Sequence, residues 1–230
     1  MRRSERRHLG SNPSLAAKMS SCKTIIMSII DFINKNQLLF GILFGWLFAR
    51  ITNYFGRPTI IYKISNDREF ATNNKTFKFL NLIVKNKQIN VFRKFLLGSS
   101  SLNNARVWLS FLDYASKAEM LKINGRWAST KEPVDYQSGQ PIIPEVLLPS
   151  RDTIPPGEEA SISVAIKEKG ENSFFPFNNE SYLHNWKNPD YELEEKKYFL
   201  RIRILADGNE YQKTFLLINP SKSLKNFKIL

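Results

Sequence analysis

Residues Tyr198–Ile218, YFLRIRILADGNEYQKTFLLI, carry the clearest structural message in the chain. Tyr198, Leu200, Ile202 and Ile204 alternate with Phe199, Arg201 and Arg203, which is the period of a strand with one buried face. Asp207-Gly208-Asn209 follows, a tight-turn signal, and Tyr211–Ile218 returns as the hairpin partner. A chain that commits 21 residues to such a hairpin is expected to be built from antiparallel strands.

Working outward, five more segments read as strands. Ala160–Lys167 (ASISVAIK) places Ile162, Val164 and Ile166 on one face and follows an Ile154-Pro155-Pro156-Gly157-Glu158 turn. Ala105–Tyr114 (ARVWLSFLDY) does the same with Val107, Leu109 and Phe111. Ala118–Ala128 (AEMLKINGRWA) is a strand with a turn at Asn124-Gly125. Thr59–Ser65 and Phe77–Asn86 are the earliest. In the latter the apolar phase slips after Phe79, which predicts a β-bulge near Leu80. Pro133, Pro141, Pro144, Pro149, Pro155 and Pro156 are six of eleven prolines, so residues 133–156 are expected to be an extended edge segment rather than a helix. Between the second and third strands, Phe92, Phe95, Leu96 and Leu97 are expected to form a helical turn or to insert into core or membrane. The expected domain, residues 57–219, is a mainly β, two-sheet antiparallel sandwich of about seven strands. Residues 220–230 read as a C-terminal tail.

Leu38–Phe55 (LLFGILFGWLFARITNYF) differs in kind. Its first twelve residues carry no charge, and the whole is long enough to cross a bilayer core of roughly 30 Å if Arg50 reaches a headgroup. It is apolar on every face, unlike a core helix with one buried stripe. Ile26, Ile29, Ile30 and Ile33 precede it at helical spacing, as in a surface-lying amphipathic helix or an extension of the anchor helix outside the bilayer. Residues 23–56 are therefore read as an amphipathic and transmembrane anchor, and residues 1–22 as a disordered polar extension. Met1, Met19 and Met27 are alternative starts. From Met27, Arg50, Arg57, Lys63 and Arg68 follow the apolar run, and the positive-inside rule puts the domain in the cytoplasm of a single-pass membrane protein. From Met1, seven basic residues also precede the run, and the rule no longer decides. Gly41, Gly45 and Ala49 share one helix face, the small-residue spacing through which two such helices pair into a homodimer.

The chain has 230 residues and a net charge of +13. Residues 50–131 hold fifteen Lys/Arg against four Asp/Glu, whereas residues 132–230 hold twelve against fifteen. The basic half suits an anionic lipid surface or solvent. No zinc-finger spacing, helix-turn-helix or RNP-like segment accompanies it, so nucleic acid ranks last among partners. The single cysteine, Cys22, lies outside the expected fold, so the domain folds without a disulfide framework.

The order of features resembles immunoglobulin-like adhesion or CARDB-type modules of bacteria and archaea. The resemblance rests on the Asn103/Asn104-Ala105, Val107, Leu109, Phe111 strand, the Ile154–Glu158 turn and the final hairpin. The chain is also similar to uncharacterised prokaryotic membrane-anchored proteins with a Gly125-Arg126-Trp127 element and an aromatic Phe177–Asp190 loop. This resemblance covers about residues 76–218 and implies an immunoglobulin-like sandwich on a membrane anchor, with no activity attached.

Catalytic chemistry is not legible. His8 and Cys22 lie outside the fold and His184 stands alone, so no Cys/His dyad or zinc cluster forms. Nucleotide and hydrolase fingerprints are missing, and no cofactor is expected. The segment least ordinary for a β-domain is Ser173–Tyr191, SFFPFNNESYLHNWKNPDY. Its aromatics and amides either cap the core or form a recognition loop, with Asn179, Glu180, Tyr182, Trp186 and Asp190 as candidates and Arg126 pairing with a loop carboxylate. The expected function is a non-enzymatic, membrane-tethered interaction or scaffold module that binds the lipid bilayer and an unidentified protein. The alternative is an extracytoplasmic module for carbohydrate or cell-envelope polymer. In that setting the Asn74-Lys75-Thr76 and Asn179-Glu180-Ser181 sequons become relevant.

Overall fold

A computed structural model describes residues 26–28, 31–32, 34–65, 68–72, 75–88, 101–194 and 196–230. It comprises two compact units, Met1–Phe55 and Gly56–Leu230. The expected extension 1–22, with His8, Met19 and Cys22, lies outside the described residues, as do Ile29, Ile30, Ile33 and the 89–100 connection.

In the first unit, helix α1 (Gln37–Gly56) covers the apolar run. At 20 residues and a mean hydropathy of 1.4 it is long and apolar enough to cross a membrane. The Thr52 hydroxyl donates to the Phe48 carbonyl at 3.0 Å, and the Arg50 guanidinium lies 5.4 Å from the Trp46 ring centroid, one turn back. Gly41, Gly45 and Ala49 are exposed within the unit, and added Cβ atoms at the two glycines would meet nothing within 4 Å.

The second unit is mainly β, in two antiparallel sheets. Its strands are β1 (Ile60–Ile64), β2 (Arg68–Thr72), β3 (Lys75–Asn86), β4 (Leu102–Asp113), β5 (Glu119–Asn124), β6 (Arg126–Trp127), β7 (Arg151–Ile154), β8 (Glu159–Glu168), β9 (Phe175–Pro176), β10 (Lys197–Ala206), β11 (Asn209–Ile218) and β12 (Lys228–Ile229). The first sheet runs β1-β3-β8-β6, with β2 also on β3 and β9 also on β8. The second runs β12-β11-β10-β4-β5, with β7 also on β4. The predicted hairpin forms in register from Lys197↔Ile218 to Ala206↔Asn209. Positive φ at Asp207 (49°) and Gly208 (71°) closes it.

One hydrophobic cluster takes side chains from both sheets: Leu80, Leu82, Val84, Ile162 and Val164 from the first, and Val107, Leu109, Phe111, Leu200, Ile202 and Ile204 from the second. Trp127 is fully buried there and its indole N–H donates to the Ala105 carbonyl at 2.8 Å. The Asn124-Gly125 step is a crossing between sheets and not a hairpin turn, because β5 and β6 belong to different sheets. Only glycine fits that crossing, since a Cβ would sit 2.7 Å from Val107 Cγ1.

One expectation is met in position and two need correction. First, the bulge expected near Leu80 is present between Leu80 and Asn81, with its extra residue in β8 rather than β3. Leu80 pairs with Ala165 and Asn81 with Ser163, which leaves Val164 as the extra residue. Beyond it the alternation of β8 inverts. Ile166 joins a different cluster from Ile162 and Val164, and Lys167 turns fully inward. Its ammonium donates to Asn219 Oδ1 and to the Ser221 and Asn172 carbonyls. Second, residues 220–230 are part of the fold rather than a tail. β12 pairs with β11, Leu224, Phe227 and Ile229 are buried, and the Lys78 ammonium donates to the Leu224 carbonyl at 3.0 Å. Third, the proline-rich stretch contains a short helix, α2 (Ile143–Leu147), with Pro144 in its first turn, where its missing N–H costs nothing. The edge expectation holds for β7, which pairs with β4.

Candidate recognition groove

Strand β3 carries two faces. Leu80, Leu82 and Val84 enter the shared core, whereas Phe77 and Phe79 join a second cluster with Ile166, Phe175, Phe177, Tyr182 and Trp186. That cluster is built on the outer face of the first sheet by the Ser173–Tyr191 segment. Phe174 anchors the segment: it is fully buried in the main core and bridges to Leu193 through backbone hydrogen bonds of 2.9 and 3.0 Å. β9 then docks along β8. Asn178 caps the following 3₁₀ helix, Asn179–His184, in a reciprocal box with Ser181. Asn185 (φ 48°) and Trp186 (φ 76°) both adopt left-handed backbone, and the Trp186 N–H closes the turn onto the Ser181 carbonyl at 2.7 Å. The turn delivers the indole edge-on to Phe70, Phe77 and Phe79, with centroids at 5.9, 5.4 and 5.8 Å.

Between these rings lies a groove of about 200 Å³. Phe79, Phe177, Tyr182 and Trp186 wall it, Asn81, Ser163 and Arg126 floor it, and Glu132 stands at its rim. The floor is a cross-strand row: Ser163 is directly opposite Asn81 on one side and Arg126 on the other. Arg126 is only 3% exposed. Its guanidinium donates to the Trp127 carbonyl at 2.8 Å and the Thr130 carbonyl at 2.6 Å, and lies 5.6 Å from the Tyr182 ring centroid. Burial pushes the Tyr182 phenol up to about 12; Arg126 opposes that shift, and the Glu132 carboxylate reinforces it.

Of the residues singled out in the sequence, Arg126, Tyr182 and Trp186 converge here. The others do not. Asn179 is buried, and its amide donates to the Glu145 and Leu148 carbonyls at 3.4 and 3.2 Å, fastening the loop to α2. That burial leaves no room for a glycan on its sequon in the folded domain; Asn74 of the other sequon lies outside the described residues. Glu180 accepts the Tyr191 phenol. Asp190 is exposed and only closes a turn, its N–H donating to Asn188 Oδ1 at 3.1 Å. The carboxylate expected for Arg126 is replaced by backbone carbonyls. Phe79, Asn81, Glu132 and Ser163 were not foreseen, whereas Phe177 belongs to the aromatic segment read as core cap or recognition loop. The outward period-two positions Phe77, Phe79 and Asn81 were the available signal, hidden by reading the strand as one-faced.

Among the described residues, no three His, Cys, Asp or Glu side chains cluster as metal ligands. No protein-family model matches the sequence, and no curated protein is significantly similar to it.

Proposed function

We propose that this chain is a membrane-tethered, non-enzymatic interaction module: an immunoglobulin-like domain, held at a bilayer by α1, that engages a partner protein at the aromatic groove. The convergence of Arg126, Tyr182 and Trp186 on one groove carries the reading. A concave site that sets aromatic walls beside a few fixed polar groups has the make-up of a binding site. Two features support the immunoglobulin-like assignment. The sheet orders β1-β3-β8-β6 and β11-β10-β4-β5 follow the A-B-E-D and G-F-C-C′ arrangement. Tyr198 is buried at the start of β10, the position of the tyrosine in a tyrosine corner. The tether rests on the length and apolarity of α1, the cytoplasmic orientation on Arg50, Arg57 and Lys63 after it, and helix pairing on Gly41, Gly45 and Ala49.

A carbohydrate-binding reading draws on the same groove but has less support. Trp186 packs edge-on against three phenylalanines, so only part of its ring is open to a polymer. Two experiments test the proposal. The full chain should remain with membranes at high salt, and a chain starting at Arg57 should not; equal behaviour of the two removes the tether. A photo-crosslinking residue at Glu132 should capture a discrete protein in cells, and Tyr182→Ala should abolish the adduct. An adduct indifferent to Tyr182→Ala places recognition elsewhere.

A further inference from the structure

We propose that the floor of the groove is a carboxylate-binding row, and that the partner presents to it an acidic side chain or a chain-terminal carboxylate. This rests on the groove being the recognition surface. Asn81, Ser163 and Arg126 are adjacent across β3, β8 and β6, where directly opposed Cβ atoms are about 5 Å apart. Each brings donors: an amide, a hydroxyl and a guanidinium. Among the described residues, neither the Asn81 nor the Ser163 side chain makes a hydrogen bond. Arg126 directs two N–H groups to carbonyls, and its buried Nε–H has no partner.

The charge balance points the same way. Arg126 is nearly solvent-free, yet the ion pairs among the described residues do not include it. A buried cation without a counter-charge is unfavourable, and a ligand carboxylate supplies that charge through short, charge-assisted bonds. The carboxylate of the groove itself, Glu132, is exposed at the rim beside the Tyr182 phenol. There it disfavours a dianion such as a phosphate monoester more than a single carboxylate. The four rings accept an apolar body behind the charged group, and 200 Å³ admits one side-chain-sized group.

The test uses the full chain in detergent micelles with ¹⁵N-labelled Arg and Trp. The Arg126 Nε–H and Trp186 indole N–H signals are followed while N-acetyl-phenylalanine, its amide, or N-acetyl-glutamic acid amide is added. N-acetyl-phenylalanine should move both signals with a Kd on the order of 1 mM, and its amide should bind at least about tenfold more weakly. Asn81→Asp, which places a negative charge in the row, should abolish the response while leaving the thermal melt of the domain intact. Equal binding by the glutamic acid derivative assigns the carboxylate to a side chain; weaker binding assigns it to a chain terminus. Equal shifts from acid and amide overturn the carboxylate row and leave the groove as a recognition surface. If neither moves the signals, the row is wrong. The Glu132 adduct then decides whether the groove reading falls with it.

Discussion

The two hydrophobic clusters lie on opposite sides of the same sheet and are made in different ways. The inner one joins both sheets mainly through alternating strand positions, from Leu80 and Leu82 to Ile202 and Ile204. The outer one is smaller. It is made by one irregular segment folding back over Phe77, Phe79 and Ile166, and it leaves Trp186 and Tyr182 partly open. A regular period yields a closed core that holds the fold together. A loop laid on the reverse face yields a groove whose aromatics are packed tightly enough to be placed and loosely enough to meet a ligand.

The sharpest way to break this contrast is to truncate one tryptophan from each cluster. Trp127→Ala removes a fully buried ring and its hydrogen bond to the Ala105 carbonyl, so urea denaturation should show a loss of about 4 kcal/mol. Next comes alkali. Burial holds the phenols of Tyr198, in the inner cluster, and Tyr182, in the outer, up to about 12 against an ordinary 10.0. Below pH 10 both states keep the proton and stability is level; between 10 and 12 the unfolded phenols ionise first, so stability falls as pH rises. Melting temperature against pH should therefore be flat to about 10 and then decline, and Tyr198→Phe should shallow that decline. Trp186→Ala, on the half-open side, should cost only about 2 kcal/mol. A loss equal to that of Trp127→Ala would make the outer cluster a second core. The smallest effect belongs to Asp190→Asn, since the side chain is exposed and only the backbone N–H serves the turn: within about 0.5 kcal/mol by denaturation.

What the sequence allowed to be read follows the same division. β10, β11 and β4 were legible because one-sided burial imposes period two, β8 only as far as Val164, and Asp207-Gly208 because left-handed backbone demands such residues. β2, β9 and β12 are too short or too polar to show a period. The buried C-terminal residues escaped notice because Leu224, Phe227 and Ile229 reach the core from a 3₁₀ turn and a two-residue strand. At the groove, Arg126, Tyr182 and Trp186 stood out by residue type. Asn81 and Ser163 did not, because a polar side chain on a strand reads as solvent-facing until something is known to lie over it. Asn179 was misjudged for the reverse reason: its amide serves the α2 carbonyls.

The extra residue at Val164 also bears on how relatives of this chain would be aligned. Strand β8 is written in two phases, with Ile162 and Val164 inward before the bulge and Lys167 inward after it. An alignment that scores it as one alternating strand, or closes the bulge with a single gap, assigns Lys167 to solvent and Ile166 to the core, inverting both. The positions to hold fixed are pairs rather than a pattern: Lys167 with Asn219, and Ile166 with Phe175 and Phe177. A sequence that keeps those pairs has the bulge, however little else of it matches.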